Sequence, residues 1–307
     1  MVRNNYLISL NPNFTPAKRS KKKIVLSIIY YIVGAALSLL FILPLLYMLA
    51  ASTKSNEAIG FANSSGSIMM FLPDFTRASQ LFTNYKEALF GNYHIWKYAI
   101  NSLIYAAIAI IFNVLVNGLA GYVLAKFNFP GKGFFNFLIL FLIVVPVETS
   151  IVPLWLIVKA MLNLNDYVSV ILPSIISIFN IFLFTQFFSS IPKEYEEAMH
   201  IDGASKVRIF FDLILPLSKP IVATVMVFTF IGVWNDYVWP YMVVDKDTGG
   251  WSGLTIQAGL TFLQSDNDVP IGAKMASLVL TTIPIFVLYA AAQKYIVKGF
   301  GTAGLKM

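Results

Sequence analysis

Polar side chains inside long apolar stretches are the residues of this sequence that could do chemistry. Glu148 lies in one such stretch, and Asn235 and Asp236 follow Trp234 in another. A charge at the centre of a membrane costs about 2.5–3.5 kcal/mol on insertion scales, so such a residue normally faces a cavity or a partner. Carboxylate and amide groups beside aromatic rings also suit a ligand rich in hydroxyl groups. We predict that these four residues border the path of a substrate.

Each of these positions also has a structural interpretation. Pro146 and Pro153 flank Glu148, and they should interrupt a helix and leave carbonyl groups free. Glu148 therefore either lines or braces the path, or is buried and hydrogen-bonded to a neighbouring helix. The residues around Asp236 either contact a substrate or belong to an aromatic belt at the outer membrane interface. Four further amide side chains are interpreted as interhelical hydrogen-bonding groups: Asn113, Asn117, Asn180 and Gln186.

Catalytic and metal chemistry lack the residues they need. There is no cysteine, and the two histidines, His94 and His200, lie far apart in the sequence. The chain has no Gly-x-x-x-x-Gly-Lys-[Ser/Thr] phosphate loop, since the turn at 131–133 lacks the upstream glycine and the hydroxyl residue. We predict no catalytic residue, no metal site and no cofactor bound by this chain, which disfavours a membrane enzyme.

The elements that must position these residues are membrane-spanning helices. The chain has 307 residues, of which 58% are hydrophobic and 12% are charged. A soluble domain carries about 25% charged residues, so a large soluble enzyme is disfavoured. Crossing the hydrocarbon core takes about 20 apolar residues, and six stretches are long enough. These stretches are 24–51, 99–125, 134–158, 168–188, 220–244 and 275–297. The sequence predicts an all-α polytopic membrane protein whose first span is an uncleaved anchor.

The distribution of lysine and arginine gives the orientation. If both termini share one side, 15 of the 22 basic residues lie on that side and 7 on the other. Basic residues next to spans mark the cytoplasm, and a run at 18–23 adjoins the first span. A nucleic-acid or anionic-lipid patch is the alternative interpretation of that run. We predict cytoplasmic tails at 1–23 and 298–307, an extracytoplasmic loop at 52–98 and a core at 99–297.

The inner loop 189–219 reads as two short helices joined at a glycine. A serine is available as the first N-cap, and Pro192 with acidic residues at 194, 196 and 197 favours a first helical turn. Gly203 can take a positive φ and end this helix. A second helix is predicted over 204–215, with an apolar face. The loop should form a helix–glycine–helix elbow at the inner membrane surface.

This loop resembles the EAA loop of importer-type ABC permeases. That motif is Glu-Ala-Ala, three residues, Gly, nine residues, Ile, one residue and Leu-Pro. The matching positions are Glu197, Ala198, Met199, Gly203, Leu213, Leu215 and Pro216. Met199 replaces the second alanine and Leu213 replaces the isoleucine, and both substitutions keep an apolar side chain. The match lies between the fourth and fifth predicted spans, on the predicted cytoplasmic side.

Three further motifs resemble the carbohydrate-uptake branch of that family, in particular the smaller permease subunit of maltose-type importers. They are Pro146-x-Glu148 with Pro153-Leu154, Trp234-Asn235-Asp236 with Trp239-Pro240, and the tail from Val297-Lys298-Gly299 through Ala303-Gly304. Their order and spacing, rather than any one of them alone, carry the likeness. A carbohydrate, specifically an oligosaccharide, is the expected substrate. The alternative is the same machine for an amino acid, a peptide or a polyamine.

The resemblance also implies the partners. A second homologous permease pairs with this chain in the cell membrane, two cytoplasmic ABC ATPases bind beneath, and an extracytoplasmic solute-binding protein delivers the substrate. ATP and Mg²⁺ then belong to the ATPase subunits, and nucleic acid is not a partner. The residues that the resemblance assigns to ATPase coupling are Glu197, Ala198, Met199, Asp202, Gly203, Leu215 and Pro216. A secondary transporter would instead predict inverted repeats and intramembrane charge pairs, and neither is visible in the sequence.

Overall fold

The computed structural model describes residues 21–74, 78–92, 94–162, 164–245 and 253–303. Every regular element in these ranges is helical, which confirms the predicted all-α fold. Most of the two predicted tails, including the basic residues at 18 and 19, lies outside the described residues.

Fourteen helices in the described ranges are numbered here in chain order. They are α1 (Lys21–Ala51), α2 (Asn56–Ser64), α3 (Ala78–Phe90), α4 (Ile95–Lys126), α5 (Lys132–Val144), α6 (Val147–Met161), α7 (Asp166–Ile171), α8 (Ile178–Ser189), α9 (Glu194–Ile201), α10 (Lys206–Leu217), α11 (Lys219–Asn235), α12 (Val238–Val243), α13 (Ile256–Ser265) and α14 (Ile271–Ala303). A 3₁₀ turn, Leu172–Ile175, lies between α7 and α8, and α4 contains a wide π-type turn at Asn113–Asn117.

Four continuous segments in the described ranges are long and apolar enough to cross a membrane: Val25–Ala51, Ile95–Lys126, Asp166–Ser189 and Ile271–Gln293. Two more candidates are bent. Helices α5 and α6 meet at 98°, and α10 and α11 meet at 83°. Counting each bent pair as one span gives six, which agrees with the predicted number of crossings.

The bend between α5 and α6 lies at Pro146, as the sequence predicts. Val145 and Pro146 are extended, with ψ of 122° and 129°. Proline has no N–H to continue the helix, and the residue before proline is sterically pushed out of the helical region. The Thr149 hydroxyl then donates to the Pro146 carbonyl at 2.7 Å. Pro153 was predicted to interrupt the helix as well, and this is wrong, because it lies inside the helical turn Ile151–Trp155.

The fifth span is shorter than predicted. Helix α11 ends at Asn235 rather than near residue 244, and Asp236 is extended with a ψ of 119°. Asp236 Oδ1 accepts a hydrogen bond from the Trp239 N–H at 3.3 Å, and the Asp236 carbonyl accepts one from Thr255 Oγ1 at 2.7 Å. These bonds satisfy the interrupted backbone, so the chain can restart as α12.

The segments predicted to be extracytoplasmic contain helices that hydropathy does not reveal. Ser55 caps α2 and Thr255 caps α13, each through its side-chain oxygen. Lys54 is buried beneath the segment after α2 and donates to the Met69 carbonyl at 2.5 Å. Burial lowers the pKa of Lys54, and the carboxylate of Asp74 opposes that effect. The loop 52–98 is therefore a folded cap rather than an irregular linker.

Two buried clusters hold the spans together. We name them after the predicted orientation of the chain: the outer cluster includes Tyr105, Trp234 and Trp239, and the inner cluster includes Phe184 and Phe210. The indole of Trp239 donates to the Ser169 carbonyl at 2.9 Å, which joins α12 to α7. Each polar atom of these large aromatic side chains needs such a partner because the bilayer offers none.

Candidate functional site

The elbow between α9 and α10 has the backbone that the glycine predicts. Gly203 has a φ of +77°, a left-handed conformation that other residues rarely adopt. The N–H groups of Gly203 and Ala204 bond back to the carbonyls of His200 and Met199, each at 3.0 Å. These bonds close the C-terminal end of α9 and turn the chain into α10.

The start of α9 differs from the prediction. The expected serine cap is wrong, because the N-cap residue is Lys193 and it makes no capping hydrogen bond through its side chain. The Ser190 hydroxyl instead donates to the Phe187 carbonyl at 2.6 Å, in the last turn of the preceding helix. Three glutamates in the first turn of α9 provide the favourable charge at its N-terminus.

Helix α10 anchors the elbow to the inner cluster. Its N-cap is Ser205, which accepts from the Arg208 N–H at 3.3 Å. It covers 206–217 rather than the predicted 204–215. Ile209, Phe210 and Ile214 are fully buried. Two residues of the recognised motif, Leu213 and Leu215, are half-buried against the same cluster.

One side of α9 is fixed to the membrane domain by a buried ion pair. Lys126 Nζ at the end of α4 lies 2.8 Å from Glu196 Oε1, and the two side chains are 4% and 10% exposed. The Tyr122 hydroxyl donates to Glu196 Oε2 at 3.3 Å, and Lys126 also donates to the Ile191 carbonyl at 2.6 Å. This cluster sets the rotation of α9 about its own axis.

The opposite side of α9 is open. Ile201 is 87% exposed and Tyr195 is 54% exposed. Together with the exposed Glu197, Ala198 and Asp202 they form a surface that we call the coupling face, after the role that the motif predicts for it. Of the other motif residues, Met199 is half-buried against the inner cluster, while Gly203 and Pro216 are exposed. The structure thus leaves Glu197, Ala198 and Asp202 exposed on one side of α9, while Met199 packs on the side that is fixed to the membrane domain.

Sequence reasoning missed Lys126, Tyr122 and Glu196 as parts of this site. Glu196 stands beside the recognised Glu197, but its partners precede it by some 70 residues and belong to another span. The only available signal was a lysine at the inner end of a predicted span.

A second polar region lies where α4, α8 and α11 meet. Asn180 Nδ2 donates to Asn113 Oδ1 at 2.7 Å and to Thr229 Oγ1 at 3.3 Å. Asn117 Nδ2 donates to the same Asn113 oxygen at 2.6 Å and to the Ile175 carbonyl at 3.2 Å. We call these four side chains the amide network. The prediction that Asn113, Asn117 and Asn180 join helices is confirmed.

The predicted substrate-path residues are only partly brought together. The side chain of Glu148 is exposed and accepts no hydrogen bond from the described residues of this chain, so it is not buried against a neighbouring helix here. Asn235 is exposed, and its Oδ1 lies 3.4 Å from Gln257 Nε2. Asp236 is half-buried beside a cavity next to the amide network. Trp234 is 1% exposed and donates to the Thr281 carbonyl at 3.1 Å, so it packs in the core instead of facing that cavity.

Comparison with known proteins shows which family the chain belongs to. Residues 117–301 match the family described as the binding-protein-dependent transport system inner membrane component. The chain belongs to this family. It is therefore a multi-pass permease subunit of an ABC importer.

Two relatives and one solved structure are similar over most of the permease. The arabinooligosaccharides transport system permease AraQ of Halalkalibacterium halodurans is 28% identical, over 94% of this chain and 99% of that protein. The diacetylchitobiose uptake system permease NgcG of Streptomyces coelicolor is 33% identical, over 84% of this chain and 82% of that protein. A bacterial ABC transporter that imports the acidic polysaccharide alginate contains a chain with the same fold. Its TM-score is 0.76 at 24% identity, and the match covers 92% of this chain and 99% of that one.

Proposed function

We propose that this permease forms half of the path by which a carbohydrate, specifically an oligosaccharide, enters the cell. The relatives AraQ and NgcG are named for arabinooligosaccharides and diacetylchitobiose, and they match most of its length. The same relatives disfavour the alternative of an amino acid, peptide or polyamine. In this proposal an extracytoplasmic binding protein delivers the sugar and a second permease supplies the other half of the path.

The observation that carries the coupling part of the proposal is the two-sided construction of α9. Its free side carries the exposed Ile201 and Tyr195 beside the exposed acidic residues Glu197 and Asp202, a mixed apolar and acidic surface that suits a protein partner. The other side is fixed to α4 through Lys126 and Glu196. A movement of an ATPase subunit bound to the coupling face would therefore be transmitted to α4 through the buried ion pair.

The orientation follows from the same assignment. If the coupling face meets an ATPase, it lies in the cytoplasm, and six crossings then place both termini there. The predicted excess of basic residues on that side supports this topology. ATP and Mg²⁺ are bound by the ATPase partners, and this subunit itself transports without catalysing a reaction.

The decisive substitution is Gly203→Val. Its φ of +77° strains any branched residue, although nothing lies within 4 Å of an added Cβ. The end of α9 should therefore rotate, and the reconstituted complex should lose most sugar uptake or release its ATPase. Co-purification of the ATPase and uptake into vesicles measure these effects.

Gly131→Val is the matched control. Gly131 also has a positive φ, of +84°, at a turn between α4 and α5, and its added Cβ would meet only Phe135 at 4.0 Å. The backbone strain is thus comparable, but the turn lies outside the coupling loop. Wild-type uptake with full ATPase retention in Gly203→Val would mean that this loop does not couple the two subunits. Equal losses of uptake and ATPase retention in both variants would mean that backbone strain in general, and not the position of Gly203, causes the effect.

A further inference from the structure

A cavity of about 400 Å³ lies beside the amide network, between the start of α6, the turn before α8 and helix α11. Phe179 and Phe228 line it, with ring centres 5.9 Å apart and ring planes inclined by 55°. Ser177 and Asp236 add a hydroxyl and a carboxylate to the lining. Aromatic faces beside a few polar groups are typical of sites for small organic ligands.

The buried amides themselves are occupied. The Nδ2 groups of Asn113, Asn117 and Asn180 are all donated within the network or to backbone carbonyls. The groups left for a ligand are therefore acceptors and hydroxyls. Ser177 Oγ accepts from the Asn180 N–H at 3.3 Å and keeps its own hydrogen to donate. A carboxylate such as that of Asp236 accepts hydrogen bonds from hydroxyl groups.

The charged side chains that line the cavity in the described part of the chain are acidic only. Asp236 is the one charged side chain among the described residues that line it, and no lysine, arginine or histidine is among them. Glu148 follows the lining residue Val147 on the same turn and is exposed.

The basic residues of the neighbouring helices are engaged elsewhere. Lys159 pairs with Asp166 at 2.9 Å, and Lys126 pairs with Glu196 at 2.8 Å. Lys132 Nζ donates to the Phe127 carbonyl at 2.9 Å. None of these three lysines lines the cavity, so they provide no counter-charge for an anion there.

We propose that this cavity is a passage site for neutral, hydroxyl-rich saccharide units and that it disfavours acidic ones. The inference rests on the proposed sugar import and specifies the class of sugar. A carboxylate or phosphate on the sugar would meet the Asp236 carboxylate with little water to screen the two charges. A neutral sugar instead donates its hydroxyls to Asp236 and packs against the ring faces of Phe179 and Phe228. The permease would then transport neutral sugars, whereas the structurally similar transporter is involved in the import of acidic alginate.

The absence of native cysteine allows a direct measurement of the potential in this cavity. Gly232 lines it, and a Cβ added there meets nothing within 4 Å, so Gly232→Cys places a thiol in the open space. The variant is assembled with cysteine-free partner subunits in lipid nanodiscs, which expose both membrane faces. Two probes of opposite charge are compared: the trimethylammonium-ethyl and the sulfonato-ethyl methanethiosulfonates.

Two other glycines provide matched controls, because an added Cβ meets nothing within 4 Å at Gly60 or at Gly34. Gly60→Cys in α2 gives the reference ratio of cationic to anionic labelling rates. At Gly232→Cys we expect this ratio to be about tenfold higher, as for a unit charge nearby in a medium of reduced dielectric. Adding Asp236→Asn to Gly232→Cys should bring the ratio most of the way back to the reference value. Gly34→Cys in α1, within an apolar span, should react with neither probe.

Equal ratios at Gly232→Cys and Gly60→Cys, or faster anionic labelling, would overturn the inference. So would a thiol at Gly232 that reacts with neither probe. If Gly232→Cys does not assemble, Val147→Cys, which is 76% exposed at the same cavity, is read by the same criteria. Uptake by the complete transporter of arabinooligosaccharides, diacetylchitobiose and alginate oligosaccharides separates the two proposals. Absence of all sugar uptake removes the proposed function, whereas uptake of the alginate fragments in preference to the neutral sugars removes only this inference.

Discussion

The role of a single residue in this permease depends on its surroundings more than on its type. Trp234 and Asp236 belong to one short motif, yet the indole is buried in the outer cluster and the carboxylate borders a cavity. Glu148 is exposed, and its exposure removes the usual cost of a buried, unpaired charge within this chain. The residue therefore remains available to the path or to the second permease.

Replacing Glu148 with Gln should lower transport while the complex still assembles. The change removes the charge and keeps the shape, and no described residue of this chain loses an ion pair. Uptake into vesicles and the yield of purified complex are the two measurements. If the residue is structural instead, Glu148→Ala should lower the yield. Normal uptake and yield in both variants would contradict both roles.

Gly121 should tolerate a side chain poorly. A Cβ there would lie 2.6 Å from Phe184 Cβ and 3.1 Å from the Thr185 backbone nitrogen, so α4 and α8 would have to separate. Overpacking typically costs about 1–3 kcal/mol, and Gly121→Leu should therefore lower the thermal stability of the complex. Gly34→Leu is the control, since an added Cβ in α1 meets nothing within 4 Å. A Gly121→Leu complex as stable as the control would contradict this close packing.

At the scale of elements, the connection between α4 and α9 is the feature that gives the loop between α8 and α11 a fixed position. Helix α4 runs from Ile95 to Lys126 and ends in the ion pair with Glu196. Near its other end, Tyr105 donates to the Gly253 carbonyl at 2.7 Å, and Ser102 accepts from the Ile256 N–H at 2.8 Å. A single helix thus contacts the loop between α8 and α11, the amide network and the segment at 253–256, which is predicted to be extracytoplasmic.

Breaking the ion pair should uncouple transport from ATP hydrolysis. Lys126→Met leaves Glu196 buried without its cation, and a broken buried pair costs about 3–5 kcal/mol. We expect less ATPase retained by the complex and less sugar moved per ATP hydrolysed. Pairing it with Glu196→Leu removes the stranded charge and should restore stability but not the full coupling ratio.

Arg208→Met tests whether the effect needs burial. Arg208 Nε lies 3.1 Å from Asp212 Oδ2, one turn further along α10, but these side chains are 69% and 53% exposed. An exposed pair contributes only about 0–1 kcal/mol, so this variant should behave like the wild type. Equal losses in Arg208→Met and Lys126→Met would remove the positioning role of the buried pair.

The whole molecule exposes surfaces that a single chain cannot satisfy. In the most apolar window of α1, 0% of the residues are buried within this chain, and the coupling face is open. Lipid suits the first surface, and the second, with apolar Tyr195 and Ile201 beside acidic Glu197 and Asp202, suits a protein partner. These surfaces fit a subunit that acts in an assembly.

The purified permease alone should hydrolyse no ATP. The sequence lacks a phosphate loop, and the proposed coupling face has no nucleotide-binding elements of its own. Phosphate release should begin only when an ATPase subunit is added, and it should respond to sugar only with the second permease and the binding protein present. ATP hydrolysis that stays with this polypeptide through repeated purification would refute its assignment as a purely transporting subunit.

The sequence by itself determined the all-α membrane fold and the elbow at Gly203. Hydropathy records which stretches are apolar enough to enter a membrane, proline and glycine restrict their own backbone angles, and the spacing of the loop motif is local in the chain. Only the tertiary structure decided that Trp234 is buried, that α11 stops at Asn235 and that Lys126 meets Glu196. Those outcomes depend on side chains far apart in sequence that meet in space, where burial and hydrogen bonding outweigh local preference.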